Sequence, residues 1–242
     1  MAEYLRSSAL LFVLLFLLFF PLERLFPERQ IHRGIGSPSL RIDLVYFFFN
    51  PLWQTLFAAP VVGWIAYSAN DVGWVSSVRG YVRAWPLISQ VIVVLVFTDF
   101  MGYWYHRASH TFPILWRFHR VHHMSEQLDW LSTTRQHPVD EVLLQIATNL
   151  FAAVMGFSFA SLTSVVLMIK VHTALVHSNI RFRFWPLSRL VVTPHYHHWH
   201  HSAEAAGSRS NYANFFPFWD LLFGTFRLPK HSPSAYGLRD RL

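Results

Sequence analysis

The sequence predicts an all-α integral membrane protein, with about four to five transmembrane or re-entrant helices and a cytoplasmic histidine-rich helical cap. Three observations point there. Apolar residues fill 53% of the 242 positions and charged residues only 14%, whereas soluble domains carry roughly 25% charged residues. Long stretches contain no charge, or a single one. Of 15 histidines, 13 fall between His106 and His201, within and after those stretches.

Five segments, at about 7–25, 44–68, 84–105, 142–157 and 159–178, are expected in the membrane, where a spanning helix needs roughly 20 residues. The first has a short apolar heart at 9–22, which suits an interfacial or tilted helix. It reads as a retained anchor, because Pro21, Leu22, Glu23 and Arg24 stand where a signal peptide would carry a small-residue cleavage site. The second has no charge over 44–68, but Pro51 and Pro60 are expected to kink it or break it in two. The third carries one charge, Asp99. From 142 to 180 the only charge is Lys170, and this length fits two short helices joined near Gly156, as a membrane hairpin or a re-entrant pair.

The length fits a single domain over 1–242, with no repeat or low-complexity linker to divide it. The net charge of +7 on so apolar a chain suits Lys and Arg facing anionic lipid, and nucleic acid is not an expected partner. Without cysteine there is no disulfide, no Cys-ligated iron–sulfur cluster and no haem thiolate, so a redox centre must use nitrogen or oxygen ligands. Arg24, Arg29, Arg33 and Arg41 lie in the loop 23–43, against Arg79 and Arg83 in 69–83. The positive-inside rule then makes the first loop cytoplasmic, and counting crossings brings every histidine group to that side.

His106 and His110 stand at i and i+4 and share a helical face, a spacing that alone is more often a surface pair. His119, His122 and His123 stand at i, i+3 and i+4, and His197, His200 and His201 repeat that pattern. Imidazoles so close repel when protonated, and a cation between neutral rings removes that cost. His177 brings the ligand candidates to nine, more than the four to six one ion uses, so two metal ions follow. His137, before Pro138, reads first as a helix start, with Asp140 and Glu141 in the first turn, and second as a ligand. His172, five residues before His177, is a further ligand candidate at a poor spacing. His195 and His198 are off pattern, and His32 and His231 read as surface residues. Asp99 shares a stripe with Tyr103, His106 and His110. It would either orient a ligand histidine or make a helix-packing hydrogen bond to Tyr or Trp.

These residues resemble the fatty acid hydroxylase and sterol desaturase superfamily of membrane oxygenases. The resemblance covers about 90–226. It runs through Asp99-Phe-Met-Gly-Tyr-Trp-Tyr-His-Arg, Leu115-Trp-Arg-Phe-His-Arg-Val-His-His, Arg135-Gln-His-Pro, His177-Ser-Asn, Thr193-Pro and the last histidine box, then Asn211-Tyr and Trp219-Asp-Leu-Leu-Phe-Gly-Thr-Phe. The family's histidine boxes fall within 106–123 and 177–201, on the nine histidines named above. The resemblance implies two iron ions, O2 as co-substrate and a membrane lipid, such as a fatty acyl chain or sterol, that is hydroxylated or desaturated. It also implies a separate electron donor: a reductase, a cytochrome or a ferredoxin. The membrane would be a bacterial inner membrane or one of the endoplasmic-reticulum type. Ala213 departs from the family's glycine and puts that turn in doubt. Thr173 stands where some relatives offer another ligand, so one metal would have an incomplete or water-filled shell. The rival readings are a zinc-dependent membrane hydrolase and a metal-binding transporter without redox chemistry.

Overall fold

A computed structural model describes residues 2–30, 37–182, 186–204, 207 and 209–238. His32 and Arg33, named above, lie outside the described residues. Among those described, the chain is helical with only isolated bridges, and five helices are long and apolar enough to cross a membrane. The protein is an integral membrane protein.

Helix α1, Ala2–Leu25, is a full span and longer than its apolar heart suggested. Helix α2, Pro38–Trp53, starts earlier than expected because Pro38 sits at the helix start and the Ser37 hydroxyl caps the Leu40 N–H. Pro51 and Pro60 do not break the second span. A widened π turn, Gln54–Ala58, joins α2 to α3, Ala59–Ser68. Proline removes one N–H and crowds the carbonyl four residues back, which for Pro60 lies inside the widened turn.

The segment read as a loop at 69–83 contains a short amphipathic helix, α4, Gly73–Arg83. It exposes Trp74 and Tyr81, as an interfacial helix does, and buries Arg79. Arg79 donates to the carbonyls of Val154 (2.8 Å) and Ala66 (2.6 Å) and to the Asn70 side chain. Helix α5, Leu87–Thr111, runs past the expected end near 105, since no breaker comes before Pro113. His106 and His110 therefore lie in its last turns.

Helices α7, Pro138–Met155, and α8, Phe159–His177, form the hairpin. Gly156 closes α7 in the left-handed region at φ 75°, and a Cβ there would meet Arg79 Cγ at 2.6 Å. Gly156→Ala is expected to destabilise the protein by about 1–3 kcal/mol, read as a lower thermal midpoint in detergent.

The spans align with both ends tied. At one end Glu23 accepts from the backbone N–H groups of Trp130 (2.8 Å) and Asn179 (2.9 Å), and Arg135 pairs with buried Asp43 at 2.6 Å. At the other, Arg79 holds α7 and Gln90 accepts from the Ser158 N–H at 2.9 Å. All segments bearing the clustered histidines thus gather at the first end. Outward faces carry Leu10, Leu14, Leu17, Phe49, Ile88 and Val166, all exposed, as lipid-facing surfaces require.

Candidate metal centre

Two short helices cap the site end. Helix α6, Pro113–His123, begins with Pro113 and carries His119, His122 and His123. Helix α9, Pro194–His200, is started by Thr193, whose side chain accepts from the Tyr196 N–H. It carries His197 and His200, with His201 as its C-cap.

The structure brings all nine histidines into two groups whose nitrogens converge. His106, His110, His119, His123 and His200 form one, and His122, His177, His197 and His201 form the other. Within each group one nitrogen per residue lies within 4.8 Å of every other. Each H-x-x-H-H box is divided between the groups. Residues at i and i+4 differ by about 40° around a helix, whereas i+3 falls about 100° from i+4. His119 and His123 therefore face one group and His122 the other, and His197 and His201 part from His200 in the same way.

Hydrogen bonds to the second ring nitrogen fix the tautomers. The Nδ1–H of His106 donates to the Tyr212 carbonyl (2.8 Å), that of His122 to Arg135 (3.2 Å), that of His177 to Thr173 (2.8 Å) and that of His200 to Ser210 (2.8 Å). His119 Nδ1 meets the Asp140 carboxylate at 3.0 Å. Each Nε2 is left as a bare lone pair aimed inward. The His122 and His177 Nε2 atoms lie 3.1 Å apart, as do His177 and His197, His197 and His201, and His123 and His200. With their protons on Nδ1, His122 and His177 share no hydrogen bond at this distance, and the two lone pairs repel. The Nε2 atoms of His106, His110 and His119 are buried with no partner. Both features fit cations. Nitrogens about 2.1 Å from one ion stand about 3.0 Å apart at right angles and about 3.4 Å apart at tetrahedral angles.

Burial, reinforced by neighbouring imidazoles, holds His122, His123, His197 and His201 well below the ordinary value of 6.5. Burial pushes His200 down to about 3. These rings stay neutral near pH 7, as ligands must. Because their folded values lie below the unfolded one, acid favours the unfolded chain, which takes up protons that the folded chain excludes. The metal-free protein is expected to keep a constant unfolding midpoint above about pH 7 and to lose stability steadily below about pH 6.5. A denaturant titration at stepped pH checks this.

The other candidates fall outside both groups. His137 caps α7, its Nδ1 accepting from the Val139 N–H at 3.1 Å, with Pro138 behind it. His172 packs against Phe215, and both its ring nitrogens lack partners. His195 donates to the Pro229 carbonyl (2.8 Å), and His198 meets the Tyr236 hydroxyl (3.1 Å).

Of the two roles expected for Asp99, the structure has the hydrogen bond to a Trp and not the orientation of a histidine. Asp99 accepts from the N–H groups of Phe215 (2.7 Å) and Phe216 (2.8 Å) and from the Trp219 indole (2.9 Å). The carboxylate that does meet a histidine, Asp140, was noticed in the sequence only as a first-turn acid. It also accepts from the Tyr105 hydroxyl at 2.6 Å. The turn at Ala213 is intact. The left-handed residue is Asn211, at φ 61°, and Asp220 accepts from the N–H groups of Tyr212 (2.8 Å) and Ala213 (2.7 Å). Thr173 contributes its carbonyl to His177, and its group has four nitrogens against five in the other.

A cavity of about 230 Å³ opens beside the centre and is lined in part by His106, His119, His122, His177 and His197.

The sequence profile described as fatty acid hydroxylase matches residues 91–225, more than half of the chain. An ornithine lipid hydroxylase of Rhizobium tropici is 36% identical over 62% of this chain and 46% of its own length. The human alkylglycerol monooxygenase is 30% identical over 58% of this chain and 31% of its own. A very-long-chain aldehyde decarbonylase of Oryza sativa subsp. indica is 32% identical over 57% of this chain and 53% of its own. The matched part thus spans about half or less of these relatives. No solved structure matches.

Proposed function

Because the chain belongs to the fatty acid hydroxylase family, we propose that it is a single-domain membrane oxygenase holding one iron ion in each histidine group. It hydroxylates, or desaturates, a membrane lipid with O2 and electrons from a separate reductase, cytochrome or ferredoxin. Two of these relatives are named as a lipid hydroxylase and an alkylglycerol monooxygenase, which supports this class of reaction.

The observation that carries the reading is the division of nine inward-facing imidazoles into groups of five and four, with no carboxylate in either. Bound iron would supply the redox chemistry that oxygen activation needs. The chain holds the ring tautomers through Tyr212, Arg135, Thr173, Ser210 and Asp140, keeps the rings neutral by burial, and offers the lipid a cavity edged by five of the ligand histidines. The group of four, at Thr173, would leave room for water or substrate.

A zinc hydrolase would usually want a carboxylate base among its ligands, and both groups are made of histidines alone. The 3.1 Å nitrogen spacing is also closer to right-angled than to tetrahedral coordination. A transport site would sit near the midplane, whereas these groups lie at the helix ends. The site faces the cytoplasm on the arginine count, Arg24, Arg29, Arg33 and Arg41 against Arg79 and Arg83.

Growth of an expressing host under 18O2, followed by lipid mass spectrometry, tests the proposal. A lipid carrying one labelled oxygen, absent when His197 is replaced, is the expected result. A new unsaturation without label would select desaturation, and an unchanged lipid profile under iron-replete growth would contradict both.

A further inference from the structure

The cavity beside the histidines has two characters. Leu11, Leu15, Phe47, Val94 and Val165 make one part apolar, as an acyl chain requires. Another part holds charge and hydrogen-bonding groups inside the span, where they are costly unless they serve a partner.

Lys170 lines the cavity from α8, seven residues before His177 and so about 10 Å from it along the helix axis. Its ammonium makes no hydrogen bond and no ion pair within 4.0 Å among the described residues. Glu141 lines the same cavity from α7 and is 5% exposed. Its hydrogen bonds, from the Gln54 and Gln145 side chains, both fall on Oε1, which leaves Oε2 without a hydrogen-bond partner among the described residues. Lys170 and Glu141 thus line the same cavity without closing into a salt bridge with each other. The lining adds His172, with both ring nitrogens buried and unpartnered, and Asn50, whose Oδ1 is buried and unpartnered.

We propose that this part of the cavity is a headgroup pocket for an amphiphile that carries both an amine and an acid group. The amine would meet Glu141 and the acid Lys170, with His172 and Asn50 completing the polar contacts and the chain lying along the apolar wall. The pocket rests on the lipid oxygenase reading and narrows it. Since ligand histidines edge the same cavity, the carbon delivered to them lies close to the headgroup rather than far down the chain.

Four amphiphiles with the same chain length test this: Nα-palmitoyl-lysine, with a free carboxylate and ε-ammonium; N-palmitoyl-norleucine, anionic only; hexadecylamine, cationic only; and monopalmitoylglycerol, uncharged. Binding to the detergent-purified protein is measured by isothermal titration calorimetry, on the protein as isolated and again after metal removal, with metal content recorded. Nα-palmitoyl-lysine is expected to bind at least about tenfold more tightly than each of the others. Lys170→Met and Glu141→Gln should each reduce it to the level of the singly charged probes. Affinities within about threefold of one another in the unmodified protein overturn the pocket without any variant having to fold. So does a preference for Nα-palmitoyl-lysine that both variants keep. Because binding is read independently of turnover, a zinc-only or redox-inert protein would sink the oxygenase reading and leave this result standing.

Discussion

His197→Ala is expected to remove one metal ion of two and to lower lipid oxidation by more than about 100-fold, beyond the 10–100-fold typical of losing an outer-shell partner. His197 is the middle member of the four-nitrogen group, with its Nε2 3.1 Å from those of both His177 and His201. Without it three imidazoles remain, while the five-nitrogen group on α5, α6 and α9 keeps its full set. The metal count should therefore fall from about two to about one rather than to zero. His195→Gln is the matched control on the same helix. Its ring nitrogen is engaged by the Pro229 carbonyl outside both groups, and the metal count should stay near two. Metal analysis of the two variants side by side checks the assignment, and loss of both ions in both variants would point to general unfolding.

Asp140→Asn is expected to weaken metal retention or activity by about 10–100-fold. The carboxylate holds His119 Nδ1 at 3.0 Å and accepts a hydrogen bond from the Tyr105 hydroxyl at 2.6 Å. An amide can keep one of these contacts but loses the negative charge that makes the imidazole a stronger donor to the ion. Tyr105→Phe leaves the His119 contact in place and should cost much less. Equal losses in the two variants, measured by competition with a chelator, would assign Asp140 to packing alone.

The frame was legible in the sequence because membrane spans are written in runs of apolar residues. The Gly156 joint was legible as well, since its left-handed backbone is a local property of glycine. The π turn at Gln54–Ala58 was not, because a widened turn leaves composition unchanged while it absorbs the prolines. Helix α4 was read as loop because its polar face hid its apolar one and because Arg79 finds its partners on other segments. The nine clustered histidines were visible by spacing, but their division into five and four depends on how α5, α6, α8 and α9 pack. Asp99 was placed beside the histidines by counting turns on one face. Seven residues put Asp99 about 10 Å along the axis from His106, beyond direct contact, and Asp99 anchors the turn at 215–219 instead. Asp140 was hidden for the opposite reason. Its partner His119 lies on another helix, and an acid in a first turn already has a local explanation.

The most direct test of the two-iron centre is metal analysis of protein purified anaerobically in detergent, paired with Mössbauer spectroscopy after iron-57 enrichment. The arrangement of five and four nitrogens predicts about two irons per chain, with the spectrum of a coupled pair that changes on reduction and again on exposure to oxygen. Stoichiometric zinc after iron-replete growth, with no oxygen chemistry after iron reconstitution, would contradict it.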